Sequence, residues 1–291
     1  MNFADELIEI ANEKMSRMIP EISAMPEMAP EGVKRDYKTG GALVFGQVVE
    51  FVNAALDYCP AVMFDYASFF GYGIDGLMAL SMGTAYAKSH GLKVIMDGDF
   101  SGDLTKYAEE FFYADGTGED RFIYADALTV SPYNSAEIIK EFARICDFEE
   151  KGGFVTLRRT SSADKTHFEN IVTKDGEEQL FKAAADDSGA FGEKYVGDNG
   201  YSVLGMITYS EKSTFELRNI NRWGLGLVRA EIDGLDDTFC YGMFFPEECE
   251  GEFVVIKCSD FYEYAGSADV KAVAAVMESC VKKIERHRLG I

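Results

Sequence analysis

The chain has 291 residues, 47% of them hydrophobic, and carries a formal net charge of −22. That apolar content fills a large core, while the charge repels phosphate backbones and anionic lipid surfaces, so neither nucleic acid nor a membrane is expected as a partner. No apolar run approaches the ~20 residues of a membrane span. The acidic N-terminus lacks a basic leader, and six scattered cysteines without a Cys-x-x-Cys pair read as free thiols, so a reducing cytoplasm is the expected location.

Residues 3–18 place Phe3, Leu7, Ile8, Ile10, Ala11 and Met15 at helical spacing and predict an opening helix. Residues 19–32 hold Pro20, Pro26 and Pro30, which predicts an ordered but irregular connection. A helix over 41–57 and a buried strand over 61–64 follow, then a helix over 73–89 and a strand over 94–96. Helices are predicted over 104–112 and 136–144, with strands at 127–130 and 154–157. In the second half, helices fall at 179–185, 191–195 and 215–220, strands at 202–207, 226–228 and 253–256, and a closing helix at 270–288 ends in basic residues that suit its dipole. Apolar strand runs centred near residues 16, 62, 94, 128, 155, 204, 227 and 254 make eight. Strand and helix alternating at this interval predict a single (β/α)8 TIM barrel over 1–291, since no linker-like tract divides the chain.

The stretch most suggestive of chemistry is 93–103. A short apolar run, Val94 to Met96, ends in Asp97, Asp99 and Asp103, with Gly98 and Gly102 between them. A buried strand that delivers polar side chains at its C-terminal end reads this way; so does a strand running into an acidic surface loop. Asp97, Asp99 and Asp103 are the candidate catalytic residues. Together with Asp65 and Asp260 they form the one grouping that offers oxygen ligands to a hard cation, against the simpler reading of a solvated acidic rim, and no resident metal or cofactor is expected. His90, His167 and His287 are far apart in sequence and suggest no shared site. Gly71, Gly73 and Gly76 match a dinucleotide-binding spacing by letter, but no strand leads into them.

Several stretches resemble successive strand ends of the orotidine 5′-phosphate decarboxylase family, in its longer bacterial type. They are residues 93–103, the Ala-Asp-Ala-Leu-Thr-Val-Ser-Pro-Tyr run at 125–133, the Gly-Phe-Val-Thr-Leu-Arg-Arg-Thr-Ser run at 153–161, Cys59-Pro60-Ala61-Val62 with Phe69-Phe70-Gly71, and 203–208. The resemblance implies a barrel with Asp97, Thr129, Ser161 and Asp260 at its C-terminal rim. It also implies a nucleotide-like ligand touched by Asp65, Thr160 and Ser161, and a homodimer in which Asp103 reaches the neighbouring site.

The family's reaction converts orotidine monophosphate to UMP and CO2, and its developing carbanion calls for a lysine ammonium within an Asp-x-Lys-x-x-Asp motif. The matching stretch here, 97–103, is one residue longer, with Asp99 or Phe100 where the lysine belongs. The family's earlier strand lysine falls at Met63, its opening Gly-Leu-Asp-Pro motif has no counterpart near 15–20, and its phosphate loop aligns with a stretch holding Arg229, Glu231 and Asp233. Lys93 precedes the strand and Lys106 lies a turn into the next helix, so neither replaces the missing ammonium. The expectation is a non-catalytic or repurposed homologue. The alternatives are an active decarboxylase of pyrimidine biosynthesis with relocated catalytic residues, and a metal-dependent enzyme built on the aspartates.

Overall fold

In the computed structural model, residues 1–112, 122–157, 172, 176, 179–209, 216–235, 239 and 251–289 are described. Eight parallel strands close on themselves in sequence order: β1 (Met18–Ile22), β2 (Ala61–Asp65), β3 (Lys93–Phe100), β4 (Ala127–Val130), β5 (Gly152–Thr156), β6 (Ser202–Thr208), β7 (Gly224–Arg229) and β8 (Glu252–Lys257). The chain is a (β/α)8 barrel, as the alternation of strand and helix predicts.

Helix α1 (Phe3–Glu13) closes the floor. Asn2 caps it by accepting the Asp5 N–H at 2.8 Å. Its apolar face, Phe3, Leu7, Ile8 and Ala11, packs into the barrel with Ile19, Ala61, Ile95, Phe154 and Phe253. The Phe3 and Phe154 rings meet edge to face at 6.0 Å. A second apolar layer lies between the strands and the outer helices α2 (Glu31–Asp36), α3 (Gly40–Ala55), α4 (Tyr66–Phe70), α5 (Gly73–Ser89), α6 (Leu104–Phe111), α7 (Ala136–Phe148), α8 (Leu180–Gly192), α9 (Cys258–Ala265) and α10 (Val270–Arg288).

The first strand lies later than the sequence suggests. The helix of 3–18 stops at Glu13, and residues 18–22 form β1 inside the stretch its prolines mark as irregular. Pro20 sits in register with Ile256 of β8. A proline there removes one ladder donor but leaves its carbonyl, and pairing on both sides holds the rest of the strand in place.

On β3 the register slips. Ile95 and Met96 pair with Ala127 and Leu128, yet Phe100 pairs with Val130, so four steps on β3 span two on β4. The bulge falls at Asp97, Gly98 and Asp99. It brings Asp99 to a φ of 45°, which a non-glycine residue adopts only at a cost. Gly98 is required here, since a Cβ would lie 2.4 Å from the Phe100 ring.

Candidate functional site in the barrel mouth

Alternation along each strand decides which side chains reach the mouth. On β7, Leu225 and Leu227 belong to the barrel interior, so Arg229 is next on the same face; on β8, Phe253 and Val255 lead in the same way to Lys257. On β1, Ile19 leads to Glu21, and on β3, Ile95 leads to Asp97.

These inward residues form a charged cluster. The Arg229 guanidinium ion-pairs with Glu21 of β1 and with Asp97 of β3, the strand diametrically across the barrel. It also lies 3.6 Å from the Met63 sulfur and 5.5 Å from the centre of the Tyr209 ring. Side-chain exposure is 9% for Arg229 and 5% for Glu21, so the pair is screened little by water. Burial lowers the Arg229 pKa from 12.5 to about 10, which leaves it charged at neutral pH.

Thr129 ties Asp97 to the bulge. Its hydroxyl donates to Asp97 Oδ1 at 2.6 Å and accepts the N–H groups of Gly98 at 3.1 Å and Asp99 at 2.9 Å. One side chain therefore fixes both the network carboxylate and the backbone of the residue that stands in the lysine's place.

Above Arg229 lies a cavity of about 430 Å³, within the range of small-molecule sites. Glu21, Arg229, Glu231, Lys257 and Asp260 supply its charged lining, and Tyr209 and Phe239 supply rings. Lys257 is exposed into it at the end of β8, in register with Glu21.

Of the candidate site residues, Asp65 of β2 and Asp97 of β3 are register partners, while Asp103 is placed apart by the role it takes. Asp97 belongs to the cluster, and Asp99 follows it on the bulge. Asp103 is exposed at the N-terminus of α6, where it caps the helix by accepting the Lys106 N–H at 3.3 Å and lies 3.9 Å from the Lys106 ammonium. Asp65 caps α4: one oxygen accepts the Ser68 N–H at 3.4 Å and the other the Ser23 hydroxyl at 3.2 Å. Asp260, in the first turn of α9, reaches the cavity. Thr160 and Ser161 lie outside the described residues. Among the described residues no three His, Cys, Asp or Glu side chains gather in a way that could hold a metal ion.

Lys93 pairs with Glu6 at the floor. Arg229 places a fixed cation against Asp97 from β7. Glu21 likewise places a carboxylate on β1 just after the stretch that lacks the opening motif. Both residues were detectable as the next inward positions on strands whose preceding inward residues are apolar.

A closed parallel barrel with charged side chains converging at the C-terminal ends of its strands is the arrangement of the (β/α)8 proteins that handle small molecules there. No family model matches the chain. Orotidine 5′-phosphate decarboxylase of Caldicellulosiruptor saccharolyticus is 30% identical over 225 residues, covering 71% of each protein, and the chain belongs to the orotidine 5′-phosphate decarboxylase family. Among solved structures, the putative orotidine 5′-phosphate decarboxylase of Streptomyces avermitilis matches with a TM-score of 0.79 at 17% identity, over 99% of this chain and 96% of that one. The Methanocaldococcus jannaschii enzyme, complexed with the inhibitor BMP, matches with a TM-score of 0.56 at 10% identity, over 91% of this chain and 98% of that one.

Proposed function

We propose that this member of the family binds a small molecule in its mouth and does not decarboxylate orotidine monophosphate. One observation carries the reading: the resemblance puts Asp99 or Phe100, and not a lysine, at the catalytic position, and the nearby buried cation, Arg229, is shared between Glu21 and Asp97. A lysine ammonium stabilises a carbanion and then protonates it. The Arg229 guanidinium is already committed to Glu21 and Asp97, so its charge is not free to sit over a developing carbanion.

The assay follows loss of orotidine monophosphate absorbance with purified protein, beside an Asp99→Lys variant. We expect no measurable turnover by the wild type and binding no tighter than about millimolar. The alternative, an active decarboxylase with relocated groups, is favoured by Arg229 lying against Asp97 and by Lys257 facing inward. Wild-type turnover that disappears in Arg229→Gln or Lys257→Met would replace the first reading with that one.

Two copies are proposed to pair. Asp103 remains exposed beside the mouth, and Ile74, Met78 and Met82 form an exposed apolar line at every fourth residue of α5. Sedimentation as a monomer at tens of micromolar would refute pairing. A reducing compartment is supported by the free, buried thiols of Cys59, Cys146, Cys258 and Cys280. No helix among the described residues is long and apolar enough to cross a membrane.

A further inference from the structure

The cavity's lining comes from the ends of β1, β7 and β8 and the segments that follow β6, β7 and β8; among the described residues, none comes from β2 to β5. The Arg229 guanidinium, reaching from β7 to Glu21 on β1 and Asp97 on β3, lines this cavity with its charge already matched. The ligand chemistry is therefore set by the charges Arg229 leaves unmatched on the open side.

Those charges are of both signs. Glu21 and Arg229 are paired with each other. Asp260 accepts the Ser259 hydroxyl at 3.2 Å through one oxygen and keeps the other. Glu231 and Lys257 are both exposed to the cavity without an ion pair among the described residues. Among the described residues the open side thus presents one ammonium and two carboxylates beside the Phe239 ring and the side chains of Ala230 and Val255. A phosphate dianion entering here meets one favourable charge and two repulsive ones, and a simple diamine meets the converse conflict at Lys257. A molecule with one anionic and one cationic group matches both.

Resting on the reading that the mouth binds without decarboxylating, we infer that this cavity is a site for a small zwitterion of the α-amino-acid class with an apolar side chain. Lys257 takes its carboxylate, Glu231 and Asp260 take its ammonium, and the Phe239 side of the cavity takes the apolar part. Charge-assisted hydrogen bonds to both ends supply orientation, which an apolar wall alone does not.

The test is calorimetric titration of the full chain with L-leucine, L-methionine and L-phenylalanine, with inorganic phosphate and putrescine in parallel. We expect at least one amino acid to bind, with affinity falling at least about tenfold in Lys257→Met and in Glu231→Gln. Both side chains are exposed, so the variants should keep the wild-type circular dichroism. The inference is overturned if no amino acid binds, if phosphate or putrescine binds more tightly than any of the three, or if either variant leaves the affinity unchanged. The decarboxylase assay is read separately. Turnover of orotidine monophosphate defeats the proposed function, whereas a silent titration with no turnover defeats the zwitterion site alone.

Discussion

The two ends of the barrel handle charge differently. At the floor, cations and carboxylates meet one to one: Lys93 with Glu6, Lys151 with Asp126 at 3.1 Å, and Arg218 with Glu252 at 2.8 Å. The floor's buried arginine, Arg17, donates to Asn12 Oδ1 at 2.6 Å and lies 5.5 Å from the centre of the Phe253 ring, in an apolar setting completed by α1. At the mouth, the guanidinium of Arg229 answers two carboxylates, and Glu231, Asp260 and Lys257 line the cavity beyond it. Matched pairs under an apolar cap suit a floor whose task is closure. Among the described residues the carboxylates at the mouth outnumber the cations Arg229 and Lys257, which makes it a place for sharing charge rather than for closure.

The sharpest way to break this contrast is to remove the shared cation. Arg229→Met leaves the buried Glu21 and the half-buried Asp97 without their shared cation, and about 3–5 kcal/mol of stability should be lost in urea unfolding. Adding Glu21→Gln and Asp97→Asn should recover most of it, since neutral amides remove the uncompensated charge. A single variant as stable as wild type would show that the carboxylates find other partners. Next in size is Thr129→Val. It removes a donor to Asp97 and the acceptor for two N–H groups at the bulge, which should cost about 1–3 kcal/mol in the same measurement.

How much of this the sequence reveals depends on the range over which its signals act. Strand and helix periodicities are local, and seven of the eight strands lie at the apolar runs that predict them; β1 was obscured because Pro20 carries a local signal that pairing on both sides overrides. Asp65 and Asp103 are read from the sequence as site residues, yet each caps the helix that follows it, and only the helix after Asp103 is predicted. The Arg229 network was not legible. Its partners lie 208 and 132 residues away along the chain, and alternation on β7 shows that Arg229 points inward without showing which side chains it meets across the barrel. A single sequence locates each inward position and gives no distance between them.

The floor has its own weak point. Glu252 is buried against Gly226 and Arg218, and burial raises its pKa above 4.5 despite the arginine, so the folded state binds a proton that the unfolded state has already released. The stability this group contributes is present below pH 4.5 and is lost as pH rises through its raised value. Glu252→Gln cannot titrate and keeps an oxygen for Arg218. Its urea midpoint should therefore fall less than that of wild type between pH 4.5 and 7, with only a modest difference at the acid end. Parallel curves would mean that the Arg218 pair offsets burial and that the floor is as well matched as its distances suggest.

The smallest effect separates two uses of one carboxylate. Asp103 caps α6 through its bond to the Lys106 N–H, and replacing such a cap by alanine costs about 1 kcal/mol, whereas asparagine retains the accepting oxygen and most of the stability. The proposed pairing of two copies, if it runs through Asp103, would depend on its charge, for which its exposure and its loose 3.9 Å approach to Lys106 leave room. Asp103→Ala should therefore lower both the unfolding free energy and the fraction of dimer, while Asp103→Asn should lower only the dimer fraction in sedimentation. If the asparagine variant remains as dimeric as wild type, Asp103 is a cap and nothing more, and any pairing must rest on the apolar line of Ile74, Met78 and Met82. That surface is insensitive to salt, whereas a contact through Asp103 weakens as salt is added, so sedimentation of the wild type at two ionic strengths decides between them.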